Sequence, residues 1–143
     1  MIIDFRRNAT TPPSVCIKGS EIERVDTYVY LGVILNNSLT WGDHVDMLIK
    51  KLNSRLYCLR KMCNINVRSE ILLTFFNSTL CSVWRYCFVC WGGNVCAIEA
   101  SRINRIIRKA SRMIGEPQPN CEIIYQSLLQ AKTDSITDGD THP

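Results

Sequence analysis

The spacing of apolar residues divides the chain into a strand-rich first part and a helix-rich remainder. Up to residue 38, apolar residues form short runs between polar and turn-forming residues, which is typical of strands. From Asp43 onward they recur every three or four positions, which is the spacing of one helix face. Because the strands precede the helices and do not alternate with them, the order predicts an α+β fold.

The first part predicts a small antiparallel sheet. The strands are expected at Ile2–Phe5, Val15–Ile17, Glu21–Val25 and Tyr28–Leu35. Two prolines within residues 6–14 predict a loop after the first strand. The second and third strands flank Lys18, Gly19 and Ser20 and predict a β-hairpin, because Gly19 can adopt the positive φ of a tight turn. The aromatic and β-branched run at Tyr28–Leu35 predicts one continuous strand.

The remainder predicts a bundle of three or four helices. They are expected from Asp43 to Cys63, from Ser69 to Trp91, from Ala97 to Ile114 and over Glu122–Lys132. The helix over 69–91 is apolar on most sides and is expected to be buried. We expect residues 133–143, which are polar and acidic, to fray or to be disordered. The domain prediction is a β-hairpin segment (1–44), a basic helical bundle (45–115), and a short helix with an acidic tail (116–143).

Charge is concentrated in the middle of the chain, although the net charge of the 143 residues is only +4. Residues 47–115 hold 12 of the 17 basic residues and two of the 13 acidic ones. The predicted third helix places five cations opposite its apolar face, with no acidic residue between Arg102 and Arg112. Such a face either contacts a polyanion or is a solvated or acidic-protein-facing helix surface.

We interpret the basic faces as a candidate nucleic-acid surface. The residues are Arg102, Arg105, Arg108, Lys109 and Arg112 on the third helix, assisted by Lys50, Lys51, Arg55 and Lys61 on the first. Phosphate neutralisation by such cations gives affinity that depends on salt and little on sequence.

The eight cysteines are interpreted as reduced core thiols. The N-terminal residues lack the pattern of a signal peptide, so we expect an intracellular protein in the nucleus or cytoplasm that is not secreted. Cys87, Cys90 and Cys96 resemble part of a zinc site, but a fourth ligand is missing and no histidine is near. No metal site and no cofactor are therefore predicted.

His44 and Asp46 have the spacing of a non-haem iron site, whose second histidine could only be His142 in the tail. The simpler interpretation is that both residues lie on the first turn of a helix that Asp43 opens. The sequence also lacks the phosphate-binding glycine loops and the hydrolase motifs, so no catalytic residue is predicted. The longest apolar run, Ile71–Trp91, contains polar residues and an arginine, so no membrane span is predicted.

Several short runs resemble, in order, the reverse transcriptases of LINE-type (non-LTR) retrotransposons. They are Ile2–Arg7, Ile17–Gly19, Glu21–Val25, Tyr30–Val33 with Leu39–Trp41, Lys50–Leu52, Arg55–Lys61, Trp91–Asn94, Arg105–Ala110 and Asp140–Pro143. The resemblance covers essentially the whole chain and rests on many weak positions. It corresponds to the part just after the catalytic palm.

The resemblance implies roles for two parts of the chain. The hairpin carrying Tyr30, Leu31, Gly32 and Val33 would be the primer grip, and the helices after it would be a thumb that cradles a template–primer duplex. The partner would be an RNA–DNA hybrid or another duplex. The polymerase carboxylates of that family lie upstream of this segment, and the sequence contains no adjacent Asp-Asp pair. We therefore expect a non-catalytic fragment or decayed copy.

Two alternatives accompany this interpretation. One is an inert remnant or protein-interaction module, in which an exposed apolar helix over 69–91 drives self-association. The other follows from segments like residues 40–110, which are also catalogued as similar to the N-terminal domain of the alkylated-DNA-repair AlkB homologue 8 family. That similarity would imply a 2-oxoglutarate/iron oxygenase or a tRNA methyltransferase, but the residues for either chemistry are missing.

Overall fold

The computed structural model describes residues 1–3 and 14–137 and has an α+β fold, as the sequence predicts. The strands are β1 (Cys16–Ile17), β2 (Ser20–Glu21), β3 (Thr27–Tyr30) and β4 (Val33–Asn36). The α-helices are α1 (Gly42–Asn64), α2 (Ser69–Phe75), α3 (Ser82–Arg85), α4 (Phe88–Trp91), α5 (Ala97–Ile114) and α6 (Cys121–Thr137). A π-helical segment (Phe76–Cys81) joins α2 to α3, and a 3₁₀ turn (Gly92–Asn94) follows α4. Two compact units result, Met1–His44 and Val45–Pro143.

The β1–β2 hairpin confirms the predicted reversal near Gly19. Lys18 and Gly19 have φ of 49° and 80°, the two positive values that characterise a two-residue type I′ hairpin turn. Ser20 belongs to β2 and pairs with Ile17, so the turn is one residue shorter than predicted. Ile2 and Ile3 lie in no strand, and the other residues of the predicted first strand are outside the described part of the chain.

The prediction of a single strand over Tyr28–Leu35 is wrong, because the chain reverses in its middle. Leu31 and Gly32 have φ of 47° and 83°, and Tyr30 pairs with Val33 across this turn. A continuous apolar run hides such a turn, since its residues favour strands on both sides. The reversal agrees with the hairpin that the resemblance implies for Tyr30–Val33, whose role as a primer grip stays a prediction.

Helix α1 confirms the first predicted helix and extends it by one residue at each end. Its buried face consists of Val45, Leu48, Leu52, Leu56 and Leu59. His44 is also buried, with its Nδ1 accepting a hydrogen bond from the Ile34 backbone N–H at 3.3 Å. His44 thus lies in the first turn of α1, as the sequence predicts, and its side chain is buried there.

The predicted helix over 69–91 is interrupted. After the π-helical segment and α3, Tyr86 is extended (ψ 123°) and Cys87 has φ of 52°, which ends the helix before α4 begins. The Trp91 indole N–H donates to the carbonyl of Tyr86 at 3.0 Å, so this carbonyl keeps a partner at the break. The reorientation lets both Phe88 and Trp91 reach the core.

This segment does not expose its apolar face, contrary to the premise of the self-association hypothesis. Its buried side chains are Leu72, Phe76, Leu80, Cys81, Trp84, Phe88 and Trp91. The aromatic rings contact each other edge to face, with centroid separations of 5.2 Å for Trp84–Phe88 and 4.7 Å for Phe88–Trp91. Self-association itself stays a prediction.

Helices α5 and α6 complete the second unit. Helix α5 matches its predicted bounds, buries Ile103, Ile106, Ile107, Ala110 and Ile114, and ends at Gly115 with φ of 86°. Helix α6 is longer than predicted, because residues 133–137 continue it as exposed helix. No glycine or proline interrupts the sequence before Gly139, so nothing local forces an earlier end. Residues 138–143 lie outside the described residues. No helix in the described ranges is long and apolar enough to cross a membrane.

Candidate nucleic-acid interface

Three arginines form a row along the outer face of α5. Arg105, Arg108 and Arg112 are exposed and stand opposite the buried isoleucines, and we call them the arginine row. Their spacing of three and four residues places one guanidinium on each successive helical turn. Among the described residues none of the three forms an ion pair.

Helices α1 and α5 run in the same direction beside each other. Near their beginnings, Arg102 Nη1 lies 2.6 Å from Asp46 Oδ1. Near their ends, the Cys63 thiol donates to the carbonyl of Met113 at 3.4 Å. Because the two contacts occur in the same order along both helices, α1 and α5 run in the same direction and their flanks are adjacent at these two points.

The Asp46–Arg102 ion pair corrects one sequence expectation. The sequence shows no acidic residue within the basic part of α5, but the fold brings Asp46 from α1 to its first arginine. Both side chains are about half exposed, at 42% for Arg102 and 55% for Asp46, so solvent weakens the pair. The charge of Arg102 is thus partly neutralised, and the Asp46 carboxylate already has an arginine as its ion-pair partner.

Arg55 is committed to the fold. Its guanidinium is partly buried and donates to the carbonyl of Thr79 in the π-helical segment. The expectation that Arg55 assists on an open binding face is therefore not supported by its position. A cation that stabilises an internal backbone carbonyl has little freedom to reach a phosphate.

The lysines of α1 remain exposed. Lys50 lies one turn after Asp46, on the same side of the helix. Lys61 comes two positions before Cys63, so it points away from the contact that Cys63 makes with α5. The Lys61 ammonium lies 5.3 Å from the centre of the Tyr57 ring. Lys51 points toward the other flank, on the side of Arg55. On α5, Lys109 is half-buried beside the arginine row.

Two clefts lined by residues of α5 and α6 were not anticipated from the sequence, and one of them includes Arg108 of the arginine row. A polar cleft of about 350 Å³ is lined in part by Ser101, Asn104, Arg108, Gln118, Asn120 and Glu122. An aromatic cleft of about 220 Å³ is lined in part by Phe88, Gly92, Gly93, Glu122 and Tyr125. Glu122 lines both clefts. The lining side chains come from separate helices, so the periodicity within one helix gave no signal for either cleft.

Asn104 fixes the carboxylate that the two clefts share. Its side-chain amide donates to both oxygens of Glu122, at 3.0 and 2.9 Å. These hydrogen bonds lower the pKa of the Glu122 carboxyl from its ordinary value. The amide oxygen of Asn104 accepts a hydrogen bond from the Cys121 backbone N–H at 2.8 Å, and this bond joins α5 to the start of α6.

Cys87, Cys90 and Cys96, the possible zinc ligands, are not grouped with further ligand side chains in the described part of the chain. Within residues 1–3 and 14–137, no group of three or more histidine, cysteine or acidic side chains is placed to hold a metal ion. Cys87, Cys90 and Cys96 are exposed free thiols, so the interpretation of these three as core residues is wrong. Burial raises the pKa of the Cys81 thiol, and burial together with the nearby Glu122 charge raises that of Cys121 to about 12.

Comparison with known proteins yields one informative similarity. The chain is 27% identical over 114 residues to "Probable RNA-directed DNA polymerase from transposon X-element" of Drosophila melanogaster. The match covers 77% of this chain and 12% of that protein, so the chain corresponds to a small part of its relative. No family model and no solved structure match the chain.

This similarity supports a relation to the reverse transcriptases of retrotransposons. It agrees with the resemblance that the sequence runs indicate. Nothing in the comparisons supports the AlkB homologue 8 label.

Proposed function

We propose that this chain is a reverse-transcriptase-related segment that binds nucleic acid through the joint surface of α1 and α5, without catalysis of its own. The observation that carries the proposal is the arginine row. Three exposed guanidiniums on successive turns find no acidic partner in the described part of the chain. The ligand best suited to such a row is a polyanion with regularly spaced charges.

The energetics favour an external anion over a merely solvated face. Like charges three or four residues apart on a helix repel by a few tenths of a kcal/mol per pair. This repulsion persists at Arg105–Arg108 and Arg108–Arg112 in the folded chain. Arg102, in contrast, forms an ion pair with Asp46. Phosphate groups would neutralise the row and release their counterions, which makes binding favourable at low salt.

The proposed ligand is a template–primer-like duplex, in particular an RNA–DNA hybrid, bound with low sequence specificity. The similarity to an RNA-directed DNA polymerase supports this choice. Arginines on one helix face contact phosphates rather than base edges unless the helix enters a groove, and phosphate contacts carry little sequence information. Lys50, Lys109 and Arg102 would extend the contact along the flank that α1 shares with α5.

Charge reversal of the arginine row tests the proposal. We expect the triple variant Arg105→Glu, Arg108→Glu, Arg112→Glu to lose binding to a labelled RNA–DNA hybrid by at least a hundredfold in fluorescence anisotropy at low salt. The row is exposed, so the fold should persist, which circular dichroism would verify.

The matched control is Lys18→Glu, Arg68→Glu, Lys132→Glu. It changes the net charge equally at three exposed positions that belong to neither α1 nor α5. Binding that survives in the control and disappears in the row variant supports a local surface. Equal losses in both would show that net charge alone governs the binding and would refute the proposal.

A second candidate function is protein interaction through the β3–β4 hairpin. Tyr28, Val29, Tyr30 and Leu31 are exposed by 56%, 61%, 57% and 71%, which is unusual for four consecutive apolar residues. Concentration-dependent self-association without salt-sensitive nucleic-acid binding would favour this candidate over the first.

A further inference from the structure

The arginine row borders a place where a carboxylate and an arginine face the same cavity without pairing. Arg108 and Glu122 both line the polar cleft, yet they form no ion pair in the described part of the chain. Opposite charges that share a cleft and stay apart leave room for a ligand with an acceptor at one end and a donor at the other. A nucleotide has this character, since its phosphate accepts and an exocyclic amino group donates.

The Glu122 carboxylate is held in a position where it can accept a hydrogen bond from such a donor. Asn104 holds it from one side through a single amide nitrogen that contacts both oxygens. A carboxylate offers about four acceptor positions. Asn104 uses two of them and the Cys121 thiol also interacts with the group, so the carboxylate can still accept one donor from a ligand. The hydrogen bonds from Asn104 also keep the pKa of Glu122 low, so the group is ionised at neutral pH.

The aromatic cleft on the other side of Glu122 has the size and walls for one base. Its volume of about 220 Å³ is smaller than the roughly 300–1,000 Å³ of pockets that enclose a drug-sized ligand. Phe88 is itself buried and packs edge to face against Tyr125, with ring centroids 5.6 Å apart, so Tyr125 supplies the aromatic surface for the base.

Two glycines form the floor beneath Tyr125. A Cβ on Gly92 would lie 2.8 Å from the Tyr125 ring, and one on Gly93 would lie 2.6 Å from its hydroxyl oxygen. The ring can rest there only because both residues lack a side chain. The cleft is therefore shaped by backbone that leaves little freedom for Tyr125 to move inward.

We propose that the two clefts together hold one unpaired nucleotide whose base carries an exocyclic amino group. The base lies in the aromatic cleft, its amino group donates to Glu122, and its phosphate contacts Arg108. The proposal rests on the proposed function, because Arg108 also belongs to the arginine row and would join this nucleotide to the bound strand. It adds a preference among bases, which the arginine row alone does not provide.

Cytidine and uridine monophosphates provide the test, because they differ at the position that would face Glu122. Cytosine presents an amino group there and uracil a carbonyl oxygen, which a carboxylate repels. We expect the full chain to bind CMP about tenfold more tightly than UMP, measured from amide chemical shifts in titrations of isotopically labelled protein. The shifts should be largest around Gly93, Glu122 and Tyr125.

Two variants separate the contributions. Glu122→Gln should abolish the preference, because its amide can both donate and accept while still contacting Asn104. Arg108→Gln should weaken the binding of CMP and the binding of UMP by the same factor, so the preference for CMP should stay the same. Equal affinities for CMP and UMP, no binding of either, or shifts confined to other regions would overturn the proposal. So would tighter binding of free phenylalanine, whose carboxylate and ammonium could satisfy the same two groups.

Failure of this proposal and failure of the proposed function are distinguishable. Hybrid binding by the arginine row is measured separately by anisotropy with a fully paired RNA–DNA hybrid, which offers no unpaired nucleotide to the clefts. Loss of the CMP preference with hybrid binding retained would refute only the nucleotide site. Absence of hybrid binding with a CMP preference retained would refute only the duplex surface.

Discussion

At the scale of single residues, Arg55 shows how the fold diverts a cation from a predicted binding face. Its guanidinium donates to the carbonyl of Thr79, where the helical segment widens to π-helix. Serine and threonine side chains satisfy neighbouring carbonyls of this segment, including those of Phe75 and Ser78. Arg55 thus fastens α1 to a stretch of irregular backbone bonding.

Replacing Arg55 by methionine should therefore destabilise the protein. Methionine keeps an apolar stem of similar length but leaves the partly buried carbonyl of Thr79 without this donor. We expect the free energy of unfolding, measured by urea denaturation, to fall by about 1–3 kcal/mol.

Lys51→Met is the control for the loss of one positive charge on α1. Lys51 is exposed and has no structural partner in the described part of the chain, so its replacement should change stability by less than about 0.5 kcal/mol. Equal effects of the two substitutions would contradict the structural role of Arg55.

At the scale of elements, the break between α3 and α4 places an L-residue in the left-handed region. Cys87 has φ of 52° and is exposed, so its side chain contributes little packing to offset the conformational cost. The break positions Phe88 and Trp91 in the core, which explains why the fold retains it.

Glycine at this position should stabilise the protein. We expect Cys87→Gly to raise the free energy of unfolding by up to about 1 kcal/mol, because glycine adopts positive φ without a steric penalty. Cys90→Gly, at an exposed position within α4, should instead lower it by about 1 kcal/mol. Thermal or urea denaturation should show that the two substitutions change the free energy of unfolding in opposite directions. A change in the same direction for both would argue against the left-handed conformation at Cys87.

The sequence predicts those elements whose pattern is regular over many residues. Helices α1 and α5 emerge from it nearly residue by residue, because each combines a long apolar stripe with a break at its end. The turn at Leu31–Gly32 and the break at Cys87 do not, because apolar residues continue across both and periodicity carries no sign of a reversal.

The candidate site was predictable to the same extent. One helix face is local information, so the arginine row follows from the spacing of residues on α5. The partners of Arg55 and Arg102 depend on how separate helices pack, and so do the clefts around Glu122. Single-sequence patterns contain no such pairing information.

At the scale of the whole molecule, the separation of charge along the chain is the property that the proposed function uses. Basic residues are concentrated in 47–115, and the fold gathers many of them on the neighbouring helices α1 and α5. A protein whose net charge is only +4 can thereby present a strongly basic surface on one side.

Salt dependence of hybrid binding tests this central claim most directly. Fluorescence anisotropy of a labelled RNA–DNA hybrid would be measured with the reduced full chain at several salt concentrations. Each phosphate contact should contribute a slope of about −0.9 to the plot of log affinity against log salt concentration. If the arginine row and one to three flanking cations engage phosphates, we predict a total slope of about −3.5 to −5.5. Absence of binding at low salt, or affinity that does not change with salt, would contradict the account.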